Sequence, residues 1–440
     1  MSSFQTGLSG LNASSRNLDV IGNNIANANT IGMKSSRVEF SELVASSMGT
    51  GGGGGAGFGV SVATVAQQFS QGNLNATGNT LDVAVNGSGF FQLTMPDGSS
   101  AYTRDGQFKM DNEGNIKTNS GGSVMGYPTD INGVKTSSIL QPLQVTTTAP
   151  IKANLTTSIT AEFNLDARAM PAAGSTTSVP AVAATPRSTY GTNLTVYDAQ
   201  GVPTQVSLYF EKSATANEWD VYTGLDVAAS ATGVTPVVAA VTYTKLADSI
   251  TFDDAGKITK PIAIAPETGF SFVIPGGTID SANPNTTGTP PKLTQDITVK
   301  LDTVTQFGSA FAVSNLAQDG YASGEFTGMS IGSNGVVTAS YSNGQSQSAG
   351  QIAMADFHNA QGLTPTGGGN WTSTVASGQP VQGSPGTGKF GFLKSGSLEE
   401  SNVDLTAELV NMMVAQRAYQ ANAQTIKTQD QVMTTLVNMR

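Results

Sequence analysis

The chain has 440 residues, with 21 Lys and Arg against 31 Asp and Glu, a net charge of −10 and only 12% charged residues. This balance argues against nucleic-acid binding, which needs clustered basic side chains, and against electrostatic docking on an anionic membrane. There is no cysteine and one histidine, His358, which excludes disulfides, thiolate metal sites and zinc sites built from several histidines. We expect no metal and no cofactor, and the length allows two to three domains.

The first predicted element is a helix from Phe4 to Asn29. Its apolar side chains keep a helical period, four of them seven residues apart and two beside that stripe. They are Phe4, Leu11, Leu18 and Ile25, with Leu8 and Ile21. Asparagine tolerates turn conformations, so the asparagine-rich end of the helix, which includes Asn27 and Asn29, is expected to satisfy backbone groups where the helix stops.

No secretory signal is predicted at the amino end, because the first residues carry no basic run followed by an unbroken apolar stretch. No apolar run approaches the ~20 residues that a membrane span needs. The sequence therefore predicts a cytosolic protein, or one exported by a route that leaves the chain uncleaved.

Residues 31–71 are predicted to be a linker or hinge, because Gly51 to Gly55 form an unbroken glycine run. Beyond this segment the pattern is that of β structure. Leu81 to Val85 alternates and precedes Asn86-Gly87, a turn dipeptide that predicts a hairpin. The same alternation recurs at Val206, Leu208 and Phe210.

Short strands separated by turns fill roughly residues 75–395, which predicts β sandwiches or barrels. A stretch rich in Thr, Ala and Pro at 145–190 suits a crossing between domains. We predict a proximal β domain built from 72–150 and 314–393, with an outer β domain inserted at 151–313.

Four short motifs between residues 111 and 400 are predicted to have structural and not functional roles. Gly383 to Lys389 matches a phosphate-binding loop, but Phe390 stands where that loop needs Ser or Thr, and no helix is predicted to follow. Asp111 to Asn115 resembles a calcium loop without its ligand spacing, so a turn is predicted. His358 is predicted to be structural or exposed, and Glu399-Glu400 to be solvated or to cap a helix.

The last predicted element is a long helix that begins near Ser401, with Asn402 or Asp404 as its cap, and can reach Arg440. One heptad position is apolar throughout, and its companion position is mixed. The first position holds Leu405, Met412, Tyr419, Ile426 and Met433, and the second includes Leu409 and Val437.

The predicted fold is mainly β with helical termini, in which residues 1–30 and 401–440 form a coiled-coil-like helical domain beside the two β domains. Apolar residues also lie outside a single seam, at Val20, Ile21, Met413, Val414, Val432 and Leu436. Two helices alone cannot bury them all, and ten or more large apolar side chains represent about 15–30 kcal/mol of burial. We therefore predict self-association, with an interface made of the apolar heptad residues at both ends together with Asn27 and Asn29.

Both ends of the chain resemble the signatures of the bacterial flagellar axial proteins, the family of rod, hook and hook-associated subunits. At the start these are residues 8–11 and NNIANANTIGMK at 23–34, and at the end SNVDL at 401–405 and ELVNMMVAQRAYQAN at 408–422. Within this family the length and the inserted middle region look like the hook subunit. Shorter stretches agree: NTLDVAV at 79–85, YTRDG at 102–106, VYD at 196–198 and GKFG at 388–391.

The resemblance implies a structural role and no enzymatic activity. Hook subunits leave the cell unfolded, without a cleaved signal, and polymerise under a hook cap into a curved tube whose channel is lined by the terminal helices. The tube is a universal joint that transmits motor torque from rod to filament. The implied partners are other copies of the chain, the distal rod, hook cap and hook–filament junction proteins, the flagellar type III export apparatus and the hook-length control protein.

Two other functions stay open at this stage. A flagellar distal rod or hook–filament junction protein would share both ends, although the distal rod protein is much shorter and lacks the insertion. A secreted carboxylate hydrolase or adhesin would instead use the β domains, and a glycosidase would need two carboxylates facing each other across a cleft.

Overall fold

The computed structural model describes residues 2–42, 59–147, 149–174, 177, 181, 183–225, 244–246, 248–262, 269–274 and 296–438. The glycine run at 51–55, on which the linker prediction depends, lies outside them. The chain divides into two compact units. Unit 1 comprises Met1–Ala149, Phe326–Tyr341 and Gln345–Arg440, and unit 2 comprises Pro150–Glu325 and Ser342–Gly344.

Both chain ends are helical, as their periodicity predicted. Helix α1 spans Ser2–Ala26 and helix α2 spans Leu405–Asn438. Asp404 caps α2, because its Oδ1 accepts hydrogen bonds from the backbone N of Thr406 and Ala407 at 2.9 and 3.1 Å. Between the helices the described chain is mostly strand, with short 3-10 helices at Arg187–Tyr190 and Ala360–Gly362. The predicted fold class is confirmed.

Unit 1 takes its strands from both halves of the chain. The first ten are β1 Ser36–Glu42, β2 Val60–Gln67, β3 Leu74–Ala76, β4 Val83–Asn86, β5 Phe90–Thr94, β6 Ser100–Thr103, β7 Phe108–Met110, β8 Ile116–Thr118, β9 Ser123–Tyr127 and β10 Gln141–Pro142. The later ones are β22 Phe326–Ile331, β23 Val336–Tyr341, β24 Ser346–Ile352, β25 Met354–Asp356, β26 Thr364–Gly367, β27 Asn370–Thr372, β28 Val381–Gly383, β29 Phe392–Ser395 and β30 Ser397–Glu399.

The main sheet of unit 1 runs in the order β22-β23-β24-β9-β5-β6-β27-β26, with β25, β28, β7, β8 and β10 attached beside this path. Two further strand pairs, β4 with β29 and β3 with β30, join early and late parts of the chain. An aromatic cluster packs inside the unit, and its members are Phe69, Phe90, Tyr102, Phe357 and Trp371. The chain must therefore be complete up to β30 before this unit can close.

Unit 2 is built from the strands between these two sets. They are β11 Ser158–Asp166, β12 Gly191–Tyr197, β13 Pro203–Lys212, β14 Glu218–Leu225, β15 Thr244–Lys245, β16 Ile250–Phe252, β17 Ile258–Lys260, β18 Ser271–Ile274, β19 Ile297–Lys300, β20 Thr305–Phe307 and β21 Ala312–Gln318. One sheet has the order β18-β19-β11-β20 with β21 on β11, and the other β12-β13-β14-β16-β17 with β15 on β14. Their side chains share one apolar core around Phe163, Phe210 and Trp219.

One sequence prediction in this region is wrong. Asn86-Gly87 does not close a hairpin between β4 and β5, because β4 pairs with β29 instead. The groups of this dipeptide bond elsewhere: Gly87 N donates to Gln71 Oε1 at 3.1 Å, and Gly87 O accepts from Arg104 Nη2 at 2.9 Å. Strand β4 is also buried on both faces at Val83, Ala84 and Val85, so its alternation does not mark one solvated face.

Three of the four rejected motifs have the structures that were predicted for them. Asp111 Oδ1 accepts hydrogen bonds from the backbone N of Glu113 and Asn115, which makes a tight turn between β7 and β8. Gly383 to Lys389 connects β28 to β29 and no helix follows it. His358 is exposed.

Candidate assembly interface

The two terminal helices pack against each other as an antiparallel pair. A Cβ built on Gly7 would lie 3.1 Å from Ile426 Cγ1, and one on Gly10 would lie 3.0 Å from Asn422 Nδ2. At the other end, Asn24 Nδ2 donates to Glu408 Oε1 at 3.0 Å. The glycines thus let the backbones approach closely, while polar bonds fix the register.

A β hairpin covers a second face of α1. Strands β1 and β2 pair antiparallel, from Ser36 with Gln67 to Glu42 with Val60. Asn24 is buried between helix and hairpin: its Nδ2 donates to Ser36 O at 2.8 Å, and its Oδ1 accepts from Ser36 N at 2.9 Å. The predicted linker 31–71 therefore contains a paired hairpin, which its glycine content did not indicate.

A buried ion cluster joins the helix pair to the β body of unit 1. Glu399 Oε1 accepts hydrogen bonds from Lys34 Nζ at 2.6 Å and from Gly72 N at 3.0 Å, and Glu399 Oε2 accepts from Arg104 Nη1 at 3.0 Å. The side chains of Lys34 and Glu399 are fully buried, and that of Arg104 is 5% exposed. The prediction that Glu399 is solvated or caps the helix is wrong. Its side chain is fully buried and forms ion pairs with Lys34 and Arg104.

The cluster holds two cations against one anion. Burial lowers the pKa of the Lys34 ammonium, while the Glu399 carboxylate acts in the opposite direction. Arg104 lies 5.3 Å from the Phe90 ring centre, and its Nε has no hydrogen-bond partner among the described residues. Both cations therefore depend on the negative charge of Glu399 to remain buried.

Asn402 makes a second connection beside this cluster. Its Oδ1 accepts from Ser35 N at 2.7 Å, and its Nδ2 donates to Gln68 O at 2.7 Å and to Ser70 O at 3.2 Å. The segment just before α2 is thus tied to the residues on both sides of the β1–β2 hairpin. We call Lys34, Arg104, Glu399 and Asn402 the junction.

The predicted interface residues of α1 differ in exposure. Ile21 is buried, Leu11, Leu18 and Ile25 are half-buried, and Phe4 and Leu8 are exposed. At the end of the helix, half-buried Asn27 donates from Nδ2 to Asn23 O at 3.0 Å, and the same carbonyl accepts the backbone N of Asn27 at 3.1 Å. Asn29 is exposed.

The predicted seam of α2 is divided between two surroundings. Met412 and Ile426 are half-buried, Leu405, Leu409, Tyr419 and Met433 are exposed, and the side chain of Val437 lies outside the described residues. The face that meets α1 is marked instead by the less exposed positions Glu408, Met412, Ala415, Asn422, Ile426 and Gln429. Their spacings of three, four and seven residues are those of one helix face, and a second apolar face stays uncovered.

Sequence reasoning missed the polar residues that position the helices. Asn24, Lys34 and Glu399 gave no periodic signal, because their partners are remote in the chain. The glycines at Gly7 and Gly10 did carry a signal, since glycine inside a helix costs stability unless close packing requires it.

Clusters of metal-ligating side chains and membrane-spanning helices are absent from the described residues. No group of three or more His, Asp or Glu among them could hold a metal ion. Neither α1 nor the described part of α2 is long and apolar enough to cross a membrane. The features that stand out are the helix pair, its exposed apolar side chains and the junction.

Comparison with known proteins gives four family matches along the chain. They are the flagella basal body rod protein at 4–34, the flagellar hook protein FlgE/F/G D1 domain at 84–160, the flagellar basal body protein FlaE D2 domain at 164–321, and the flagellar basal body rod FlgEFG protein C-terminal at 394–439. The flagellar hook protein FlgE of Salmonella typhimurium is 38% identical over 441 residues, which cover all of both chains.

The chain belongs to the flagellar hook protein family. The flagellar hook protein FlgE of Escherichia coli is 36% identical and covers 99% of this chain and all of its own. The crystal structure of the flagellar hook protein FlgE2 of Helicobacter pylori matches with a TM-score of 0.50 at 16% identity, over 74% of this chain and all of the other, and this likeness concerns the fold alone. In this hook-family chain the two terminal matches coincide with the helix pair, and the two inner ones with β structure.

Proposed function

We propose that the chain is the structural subunit of the flagellar hook and that it polymerises through its terminal helices into a curved tube. In this tube it acts as a universal joint that transmits torque from rod to filament. The observation that carries the proposal is the uncovered apolar face of α2.

The first turns of α2 are apolar on sides that α1 does not cover. Their exposed residues are Leu405, Leu409, Val410, Met413 and Val414, with exposed fractions of 48 to 61%. Such a concentration of exposed apolar side chains on one helix marks an interaction surface, and a helix that is apolar around most of its circumference is normally buried. Packing against other copies of the chain would bury it.

The junction supports the mechanical part of the proposal. Lys34, Arg104, Glu399 and Asn402 fix both helix-bearing segments to the β body of unit 1 by buried ionic and amide bonds. A load on the helix pair would therefore reach the β body through several bonds at once. The inserted β domain, predicted at 151–313, would lie in the outer layer of the tube.

The proposal extends to place and partners. The subunit would act in the hook–basal body outside the cell after flagellar type III export. It would meet the distal rod, hook cap and hook–filament junction proteins there, and the hook-length control protein during export. Family membership supports these partners, and the helix pair supplies the surface for copies of the same chain.

Electron microscopy of the purified chain tests this function. We expect curved tubes with a central channel at high protein concentration, and persistent monomers would contradict polymerisation. Immunogold labelling of isolated basal bodies separates the two flagellar candidates. Label on the curved segment supports a hook subunit, whereas label confined to the rod or to the hook–filament junction would support the alternative.

A further inference from the structure

The chain contains four Asn-Gly pairs, and all of them lie within the described residues. In such a pair the glycine N can attack the asparagine Cγ and displace ammonia, because glycine has no Cβ to obstruct the approach. A glycine N that is held by a hydrogen bond, or closely enclosed by its neighbours, is protected from this reaction. The four pairs are Asn86-Gly87, Asn132-Gly133, Asn334-Gly335 and Asn343-Gly344.

Two of the glycine nitrogens bond to backbone carbonyls in their own turns. Gly133 N donates to Asp130 O at 3.0 Å, and Gly335 N donates to Gly332 O at 2.9 Å. Gly335 is also buried, and a Cβ built on it would lie 2.7 Å from Pro385 Cγ. Both nitrogens are therefore engaged, and the surroundings of Gly335 leave little room for a ring to form there.

A side-chain amide protects the third pair. Gly87 N donates to Gln71 Oε1 at 3.1 Å, and Gln71 Nε2 donates to Asn86 Oδ1 at 3.4 Å. The amide of Gln71 thus contacts both groups that would have to react with each other. A Cβ built on Gly87 would lie 2.9 Å from Gly391 Cα, so this glycine is also closely packed.

Gly344 differs from the other three glycines in both respects. Its N forms no hydrogen bond with any of the described residues. It is exposed, and a Cβ built on it would meet nothing within 4 Å. The N of Gly344 can therefore approach the Cγ of Asn343, and the turn between β23 and β24 has room for a ring.

We propose that Asn343 is a site of spontaneous deamidation, the position at which this chain ages first. Gly344 N loses its proton to hydroxide and forms a bond to Asn343 Cγ, while the bond from Cγ to Nδ2 breaks and ammonia leaves. Water then opens the cyclic imide at either of its two C–N bonds. The products are aspartate and isoaspartate at position 343.

The reaction would remove a contact that ties this turn to a neighbouring segment. Asn343 Nδ2 donates to Ala322 O at 2.7 Å. The carboxylate oxygen that replaces Nδ2 is only an acceptor and cannot bond to this carbonyl. Isoaspartate would also lengthen the backbone of the turn by one carbon. The inference is independent of the proposed function, because it concerns the single chain.

Mass spectrometry of the folded full-length chain, incubated in mildly alkaline buffer and then digested, tests the proposal. Deamidation raises the mass of a peptide by about one dalton, since an amide becomes an acid. Cleavage at Tyr341 separates Asn334 from Asn343. We expect Asn343 to react at least about fivefold faster than each of the other three asparagines, whose glycines must first lose a hydrogen bond.

Incubation of the same chain in urea separates the effect of the fold from that of the local sequence. Without the fold, the four rates should come within about twofold of one another, because the hydrogen bonds that protect three of the glycines are lost. Equal rates in the folded chain, or the same preference for Asn343 in urea, would overturn the proposal.

Variants of Gln71 test the protection on which the assignment rests. Gln71→Ala removes the acceptor of Gly87 N, so the rate at Asn86 should rise toward that at Asn343. Gln71→Glu is the matched control, because its carboxylate keeps an acceptor for Gly87 N, and Asn86 should stay slow. An unchanged rate at Asn86 in Gln71→Ala would contradict the idea that an engaged glycine N decides which pair reacts.

Discussion

At the scale of single residues, Glu399 has the most consequential environment in the described part of the chain. Its carboxylate bonds two buried cations and one backbone amide, and these come from three separate segments. Breaking a buried ion pair by removing one partner leaves an uncompensated charge in a dry site, which costs more than the pair itself contributes.

We expect Glu399→Gln to destabilise unit 1 by about 3–5 kcal/mol, because Lys34 and Arg104 would stay buried without their anion. Urea denaturation followed by tryptophan fluorescence measures this. Trp371 lies in the core of unit 1 and Trp219 in that of unit 2, so the unit 1 transition alone should move.

The matched control is Glu400→Gln, which changes the neighbouring carboxylate that forms no ion pair within the described residues. Its effect should stay within about 0.5 kcal/mol, because no ion pair among the described residues is lost. Equal losses from both variants would contradict the special role of Glu399.

The same residue shows where sequence reasoning fails. Glu399-Glu400 looks like a solvated pair before a helix, because the basic partners of Glu399 lie 295 and 365 residues away. Asn86-Gly87 fails for a related reason, since Gln71 and Arg104 take its backbone groups. Local chemistry was interpreted correctly at Asp404 and at the Asp111 turn, where all the partners are local.

At the scale of elements, the helices could be predicted and their partners could not. The 3.6-residue period predicted the first and last residues of α1 and α2 to within a few residues. It could not show which apolar face of α2 meets α1, because Met412 and Leu409 are both apolar. Contact with Gly7 and Gly10 decides this, and glycine carries no hydropathy signal.

Close approach at Gly7 gives a test of the helix pair. Gly7→Leu should force Ile426 away and weaken the pair by about 1–3 kcal/mol, as overpacking does. In contrast, Gly22→Leu should be neutral or should stabilise α1, because a Cβ there meets nothing within 4 Å. Far-UV circular dichroism during heating follows both variants, and equal losses would contradict close packing of Gly7 on Ile426 as the basis of the difference.

Ile426→Asp tests whether the pair is needed for assembly. A carboxylate against Gly7 should separate α1 from α2 while the β cores persist, and tubes should no longer form. Gln424→Asp places the same charge on an exposed position two residues earlier and should assemble normally. Normal tubes from Ile426→Asp, seen by electron microscopy, would show that the pair is dispensable.

At the scale of the whole molecule, sequence composition suggested an insertion, and the structure has two compact units whose boundary falls at Pro150 and Glu325. The domain bounds that composition gives, 151 and 313, stay predictions. Strand β21 belongs to unit 2 because it pairs with β11, a long-range pairing that composition does not encode. The assignment of these parts to inner and outer layers of a tube stays a prediction.

Charges on the exposed apolar residues at the start of α2 should weaken assembly without opening the helix pair. Leu409→Asp/Met413→Asp places two carboxylates on the face that α1 does not cover, so α1 should stay docked while copies repel one another. The critical concentration for tube formation, measured by sedimentation, should rise at least tenfold. An unchanged value would contradict a role for this group in assembly.

Sedimentation velocity of the purified full-length chain over a wide range of concentrations, combined with hydrogen exchange of α2, tests most directly whether copies bury each other's helices. We predict large particles above a critical concentration, with amide protection around Leu405 to Val414 that appears only in those particles. A chain that stays monomeric at the highest concentration, with both helices already fully protected on its own body, would contradict the account.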